Sequence, residues 1–488
     1  MLKNKLTRVL LSMLIAVIPL TLLFPTCASA ESAGTVTVYN KDGTVKQETG
    51  FVRCDSAWDA AVASAGSGYD TVMTLGCDWT HDRGLELPSN KKLTVDLNGF
   101  TILRDRGGKQ ISNGYVFRVA NGAELTIRDS NPDSAGYNGI RGGVITGGAN
   151  TNGAGAIHID AGGYCLMRSG TIYRCTSSEH GGAVMLDGRD GKYARFVTSG
   201  GRIYFCQTVD ATANCHGGGI YSNYGGVYLS NFSVDACYSE DNGGGVYLNE
   251  GNLTIENSLF IGNHCKDYGG GVYINSGRLL ITGSRFSTNE ASDDGGAVYI
   301  DTGDRSEIKN SIFYKNKSYG DGGALYVNDD RTYVLDSDFT ANSAAGYGGG
   351  IYVDSRYDIS LKGLMKVINN SGREGRNNLT LQNGLASRAY LYNGGLTEGS
   401  SVGLSSTGRN QLYCKEMTAY QAEHYYFSDL GELELTDTFE RDASLLASLF
   451  IDSEYAVWVI GIACAAGCGA IVYLLLKKRA KGKGAAVG

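Results

Sequence analysis

The chain has 488 residues, 70 of them glycine and 4 proline, with a formal net charge of −7 and a pI near 5.5. So few prolines exclude collagen and a Pro-rich linker, both of which need proline at frequent intervals. The acidic balance argues against nucleic acid as a partner.

Lys3, Lys5 and Arg8 precede an apolar run from Val9 to Phe24, and the small residues CASA end at Ala30. This reads as a secretory signal over residues 1–30. Residues 31–92 form an N-terminal segment. Within it, Ser56 to Ala65 has the pattern of a short amphipathic helix, placed to cover the end of the domain that follows, with Cys54 and Cys77 available to tie it down. The first clear strand pair is LTVDLNGFTI, Leu93 to Ile102.

From there a repeat takes over. Tyr221, Tyr247, Tyr273, Tyr299, Tyr326 and Tyr352 each follow a glycine cluster, at steps of 26 or 27 residues. Phe260, Phe286, Phe313 and Phe339 keep the same interval. Three residues beyond each stands Asn263, Asn289, Asn316 or Asn342, and two residues before each stands Ser258, Ser284, Ser311 or Ser337. Each unit holds short alternating runs such as VYL, LTI and SLFI, separated by Gly, Asn and Asp, with no room for a helix. A leucine-rich repeat shares the period, but its leucines and helical half are missing. The pattern predicts an all-β coil of parallel strands, a solenoid of about a dozen rungs with a 26-residue period.

In such a coil, equivalent residues stand above one another at about 4.8 Å. Val246 and Leu248 face the interior, so Tyr247 and its equivalents face away. The Asn263 series is placed to form a stacked amide ladder. Earlier in the chain that column holds Cys175, Cys206 and Cys237, each 31 residues apart. Either a disulfide between neighbours or a stack of buried thiols satisfies the spacing. Nine cysteines lie between the two terminal apolar segments, an odd number.

Residues 93–410 carry the coil. Residues 411–455 are more acidic and read as a membrane-proximal segment. Residues 456–476 (AVWVIGIACAAGCGAIVYLLL) have no charge and suffice to span a bilayer. The basic tail at 477–488 sets the expected topology: single-pass, with an extracellular N-terminal domain and a cytoplasmic tail.

LTVDLNGFTI, AELTIRDS at Ala123 to Ser130, and the GG[AG][VIL]Y units with N-S-x-F between them resemble the bacterial secreted right-handed parallel β-helix proteins, the pectate-lyase-like superfamily. More narrowly, they resemble the adhesin-like surface proteins of gut Firmicutes. The resemblance covers Leu93 to Asn410 and implies the fold, not one activity. The basic tail lacks an LPxTG signal, which speaks against wall attachment by that route.

Three functions remain open. The tyrosine series, if exposed, makes an aromatic strip on the order of 25 Å long, suited to a glycan or a surface protein; alternatively the rings only stack on one another. For an enzyme, Asp293, Asp294 and Asp321 are the acids to test. The resemblance implies lyase or hydrolase chemistry with clustered acids, and calcium only in the lyase case. A structural spacer is the third reading. No cofactor motif is present, and the six scattered histidines show no metal-ligand spacing.

Overall fold

The computed structural model describes residues 32–429, 433–437 and 472–476, apart from residues 67, 106, 108, 190, 211–213, 330, 355, 374, 384–388 and 408–410. The expected signal and most of the apolar segment lie outside these residues.

The molecule is a right-handed β-solenoid of about 12 turns with a period near 27 residues. One turn shows how the repeat is spent. Val246–Leu248, Gly251–Glu256, Leu259–Ile261 and the two-residue strand His264–Cys265 follow one another around the coil. Each pairs in parallel with its equivalent one turn on: Tyr247 with Tyr273, Leu253 with Leu279, Phe260 with Phe286, Cys265 with Ala291. The period of two within each short strand sends Val246, Leu248, Leu253, Ile255 and Phe260 inward, where all are buried. The phenylalanines form a continuous stack, with ring centroids 4.7, 4.9 and 4.4 Å apart from Phe260 to Phe339.

Between the third and fourth strands of each turn the backbone bends sharply, and its polar groups are buried. The asparagine column satisfies them. Asn263 Nδ2 donates to Asn289 Oδ1 at 2.9 Å and to the Val234 carbonyl at 2.8 Å, while the Asn263 N–H donates to the same Asn289 Oδ1 at 3.1 Å. Asn289 and Asn316 repeat the pattern toward Asn342. The column then runs on through Asn370 and Asn378 to Asp429, whose carboxylate accepts both the N–H and the side-chain amide of Asn378 at 2.6 Å. An ionised aspartate carries no donor needing a further partner, so it ends the chain of amides without leaving a buried N–H unpaired.

Upstream, sulfur replaces the amide. Cys175, Cys206 and Cys237 are buried thiols on successive turns, and the Cys175 N–H points at the Cys206 sulfur at 3.5 Å. Of the two arrangements the spacing allows, the structure has the stack of buried thiols. Burial raises the Cys206 thiol well above its ordinary range and the Cys237 thiol to about 12.

Glycine is required where adjacent turns touch. Gly243 has φ +67°, and a Cβ on Gly244 would lie 2.4 Å from the carbonyl oxygens of Gly270 and His264.

The coil starts earlier than the sequence suggested: Asp70–Leu75 already pairs in parallel with Lys92–Asp96. Its open end is closed by the antiparallel hairpin Gly34–Tyr39 and Val45–Phe51, and by the helix Cys54–Ser64. Trp58 on that helix packs its ring 6.4 Å from Trp79 and 5.7 Å from Phe117. Cys54 and Cys77 bring their sulfurs toward one carbonyl, that of Ala33, at 3.1 and 3.9 Å.

The coil also ends later. Gln411–Lys415 and Leu433–Asp437, assigned from sequence to a membrane-proximal segment, pair in parallel as further strands. Of the apolar segment, Val472–Leu476 forms a strand antiparallel to Leu433–Asp437. This differs from the expected membrane helix, and its physical reason is the last strand's need for a hydrogen-bonding partner. No helix among the described residues is long and apolar enough to cross a membrane.

Candidate functional site: one flank of the coil

The tyrosine strands form the flank that carries the chemistry. Tyr221, Tyr247, Tyr273, Tyr299, Tyr326 and Tyr352 do face away from the main core, yet they are only 3–9% exposed. They do not form an open aromatic strip. Their rings stack on each other at 5.4, 5.0, 5.1, 4.6 and 5.0 Å. With Met185 and Ala154 they make a second buried cluster, onto which Tyr268 and Tyr347 pack. The glycine turn before each strand lies across the rings: a Cβ on Gly243 would come within 2.9 Å of Tyr247 Cβ. His180 and His216 join the column, stacked at 4.1 Å on Tyr221 and 4.3 Å on Tyr247. Burial lowers both imidazoles to about 4, so they are neutral at pH 7. The same burial raises the Tyr221 hydroxyl to about 12 and the later tyrosines further.

The turns before the glycines bring the predicted acids together. Asp294 Oδ1 accepts the Asp321 N–H at 2.6 Å, and Asp321 Oδ1 accepts the Tyr347 N–H at 2.6 Å. Asn242 does the same for Tyr268 at 2.9 Å. Each side chain therefore holds the backbone of the next turn. Asp293 stands on the exposed side of Asp294, in the same column as Asp241 and Asp267. Burial, helped by the charges of Asp293, Asp321 and Asp354, raises Asp294 to about 7. Burial raises Asp321 as well.

Across the tyrosine tips stands a second polar row. Tyr273 Oη donates to Asp301 Oδ2 at 3.4 Å, and Asn328 Nδ2 donates to Asp301 Oδ1 at 2.6 Å. Asn275, Asn249 and Asn223 continue this row upstream as a half-buried amide ladder. Among the described residues, no three His, Cys, Asp or Glu side chains are set to hold a metal.

The open part of the flank lies further toward the N-terminus, where the sequence reading placed nothing. In the tyrosine position stand Arg118, His158 and Met185, aligned on successive turns. A cavity of 380 Å³ opens there, lined by Arg118, His158, Asp160, Asp187, Arg189 and Lys192 among others. It shares Asn121 and Lys192 with a second of 690 Å³, bordered by Tyr164, Tyr193 and Arg195. Arg118 grips Asp160 through Nε at 3.2 and 3.1 Å, and His158 Nε2 sits 3.4 Å from the same carboxylate. Burial holds His158 below its usual range. Arg189 pairs with Asp187. Lys192 and Arg195 are exposed and enter no ion pair among the described residues. The overlooked signal was the break in the repeat: IHID where later turns read VYL, followed by the charged insertion Arg189 to Tyr193.

A family model described as "Right handed beta helix region" matches residues 155–339. Together with the observed solenoid, this decides the architecture. The chain is a β-helix protein. A second model, the "Chlamydia polymorphic membrane protein repeat", matches residues 336–354 of this β-helix protein. Comparison with curated proteins and with solved structures returned no match to it.

Proposed function

We propose that this β-helix protein is displayed at a cell surface and holds an extended glycan in the cleft between Arg118 and Arg195. One observation carries the reading: on a chain of net charge −7, two adjoining cavities are bordered by Lys192 and Arg195, which have no ion partner among the described residues, and by the half-exposed ring of Tyr193. Fixed polar groups beside an aromatic face suit a sugar chain. A solenoid supplies the rigid, elongated support. The membrane-protein repeat matched at 336–354 is in keeping with surface display. Under this reading the protein is adhesin-like, and the buried tyrosines stiffen the flank.

The test is retention of plant, mucin and bacterial polysaccharides on the purified full chain in detergent, with released sugar quantified alongside. Retention without release, lost in Lys192→Ala/Arg195→Ala, is the expected result. Retention unchanged by that double variant contradicts the site, and no retention at all favours the spacer.

A second reading, hydrolysis, is favoured by one observation: Asp294, raised to about 7, would hold a proton beside the charges of Asp293 and Asp321. New oligosaccharide ends that vanish in Asp294→Asn would establish it.

A further inference from the structure

The N-terminal cap meets the coil at two cysteines, Cys54 and Cys77. Cys54 is the first residue of the helix Cys54–Ser64, and Cys77 follows the first coil strand, Asp70–Leu75, by two residues. The strand Gly34–Tyr39 lies between the two segments: Gly34 pairs with Phe51 on one side and with Leu75 on the other. Ala33, just before it, donates its N–H to the Phe51 carbonyl at 2.7 Å and accepts the Gly76 N–H at 2.9 Å. The two segments are thereby held across a single residue. Gly76 lets them close in, since a Cβ there would lie 2.1 Å from the Ser32 carbonyl oxygen.

Both sulfurs converge on the same atom. Cys54 Sγ lies 3.1 Å and Cys77 Sγ 3.9 Å from the Ala33 carbonyl oxygen, which already accepts the Gly76 N–H. A carbonyl oxygen has two lone pairs, and three donors crowd this one. Joining the sulfurs removes both S–H groups from that competition. A separate observation concerns access. Among the described cysteines, Cys77 alone is not buried, so an oxidant reaches the pair through it.

From this geometry we infer that Cys54 and Cys77 are a disulfide site, and that the bond locks the hairpin and helix onto the first strand of the coil. The oxidant is a small disulfide such as oxidised glutathione. Cys77 gives up its proton to solvent, and its sulfur attacks one sulfur of the oxidant, releasing the other as a thiolate. Cys54, deprotonated in turn, attacks the Cys77 sulfur and expels the second thiolate. Two protein thiols are oxidised, one oxidant disulfide is reduced to two thiols, and the two protons end on those thiols. The bond closes the loop from Cys54 to Cys77 and so restrains the unfolded chain. It adds a covalent tie to the strand pairing and to the packing of Trp58 on Trp79 and Phe117. This inference does not rest on the glycan cleft.

The experiment treats the reduced full chain, in detergent, with oxidised glutathione, followed by alkylation and peptide mass mapping without reductant. The expected product is a linked Cys54–Cys77 peptide pair, lighter by the two hydrogens lost. In Cys54→Ser the second step has no attacking sulfur, so glutathione should remain on Cys77. The oxidised native chain should melt about 3 °C or more above its reduced form. Cys54→Ser/Cys77→Ser should melt at one temperature with or without reductant. Separate glutathione on Cys54 and Cys77 in the native chain, or both residues still open to alkylation, would overturn the site. A linked pair with an unchanged melting temperature would overturn the lock.

Discussion

The upstream and downstream halves of one flank share a backbone and differ in what fills it. Downstream, Tyr247 to Tyr352 occupy the outer position of the strand, and the glycine turns close over them. Upstream, Arg118, His158 and Met185 occupy it, and cavities remain open. The asparagine column shows the same division, with amides downstream and thiols upstream. Strict repetition builds core. The turns that break the repeat are those left free to bind.

The largest effects should come from the strictly repeated half. Asn289→Ala removes the acceptor for both the N–H and the side chain of Asn263, all buried. Leaving such donors unpaired should cost about 3 kcal/mol or more, read by denaturant unfolding. Cys206→Ala, at an equivalent place upstream, removes only a weak acceptor and should cost clearly less. A similar loss in both variants would erase the distinction between amide and thiol columns.

Tyr273→Ser should cost about 3 kcal/mol, as expected for emptying a buried aromatic site. Tyr273→Phe should cost less than about 1 kcal/mol, because the hydroxyl bond to Asp301 is long, at 3.4 Å. Retained stability in the serine variant would show the column to be surface rather than core.

A subtler effect concerns pH. Asp294 titrates at about 7 in the fold, above its ordinary 3.8, so the folded state binds the extra proton between those values. Stability from this group is present below pH 3.8 and is lost as pH rises to about 7. Melting temperatures of Asp294→Asn should lack that component of the decline. An identical pH profile in both proteins would place Asp294 in solvent. The smallest effect on stability is expected at Lys192→Ala: the exposed side chain has no ion partner among the described residues, so the melting temperature should hold while ligand retention falls.

The sequence made the coil legible because four landmarks recur in phase, and stacking fixes what each must do. Phe260 and Asn263 could be placed from period alone. The covering of the tyrosines was not legible, since it depends on how Gly243 and its equivalents fold back over the strand. Asp429 escaped notice because it joins the amide column from 51 residues beyond Asn378. The cleft was missed for the opposite reason: its residues interrupt the repeat, and an interruption carries no periodic signal. The acids at 293, 294 and 321 could be singled out because they lie in turns just before the glycine clusters, but their burial and mutual effect needed three dimensions.

The most direct test of the division between covered column and open cleft is spectrophotometric titration of the phenols. It would compare the native chain with a variant carrying Phe at positions 247, 273 and 299. If the column is core, the two should ionise the same number of tyrosines near pH 10, the ordinary phenol value, and diverge only on unfolding. If the native chain ionises three more phenols near pH 10 while still folded, those rings face solvent and the account is wrong.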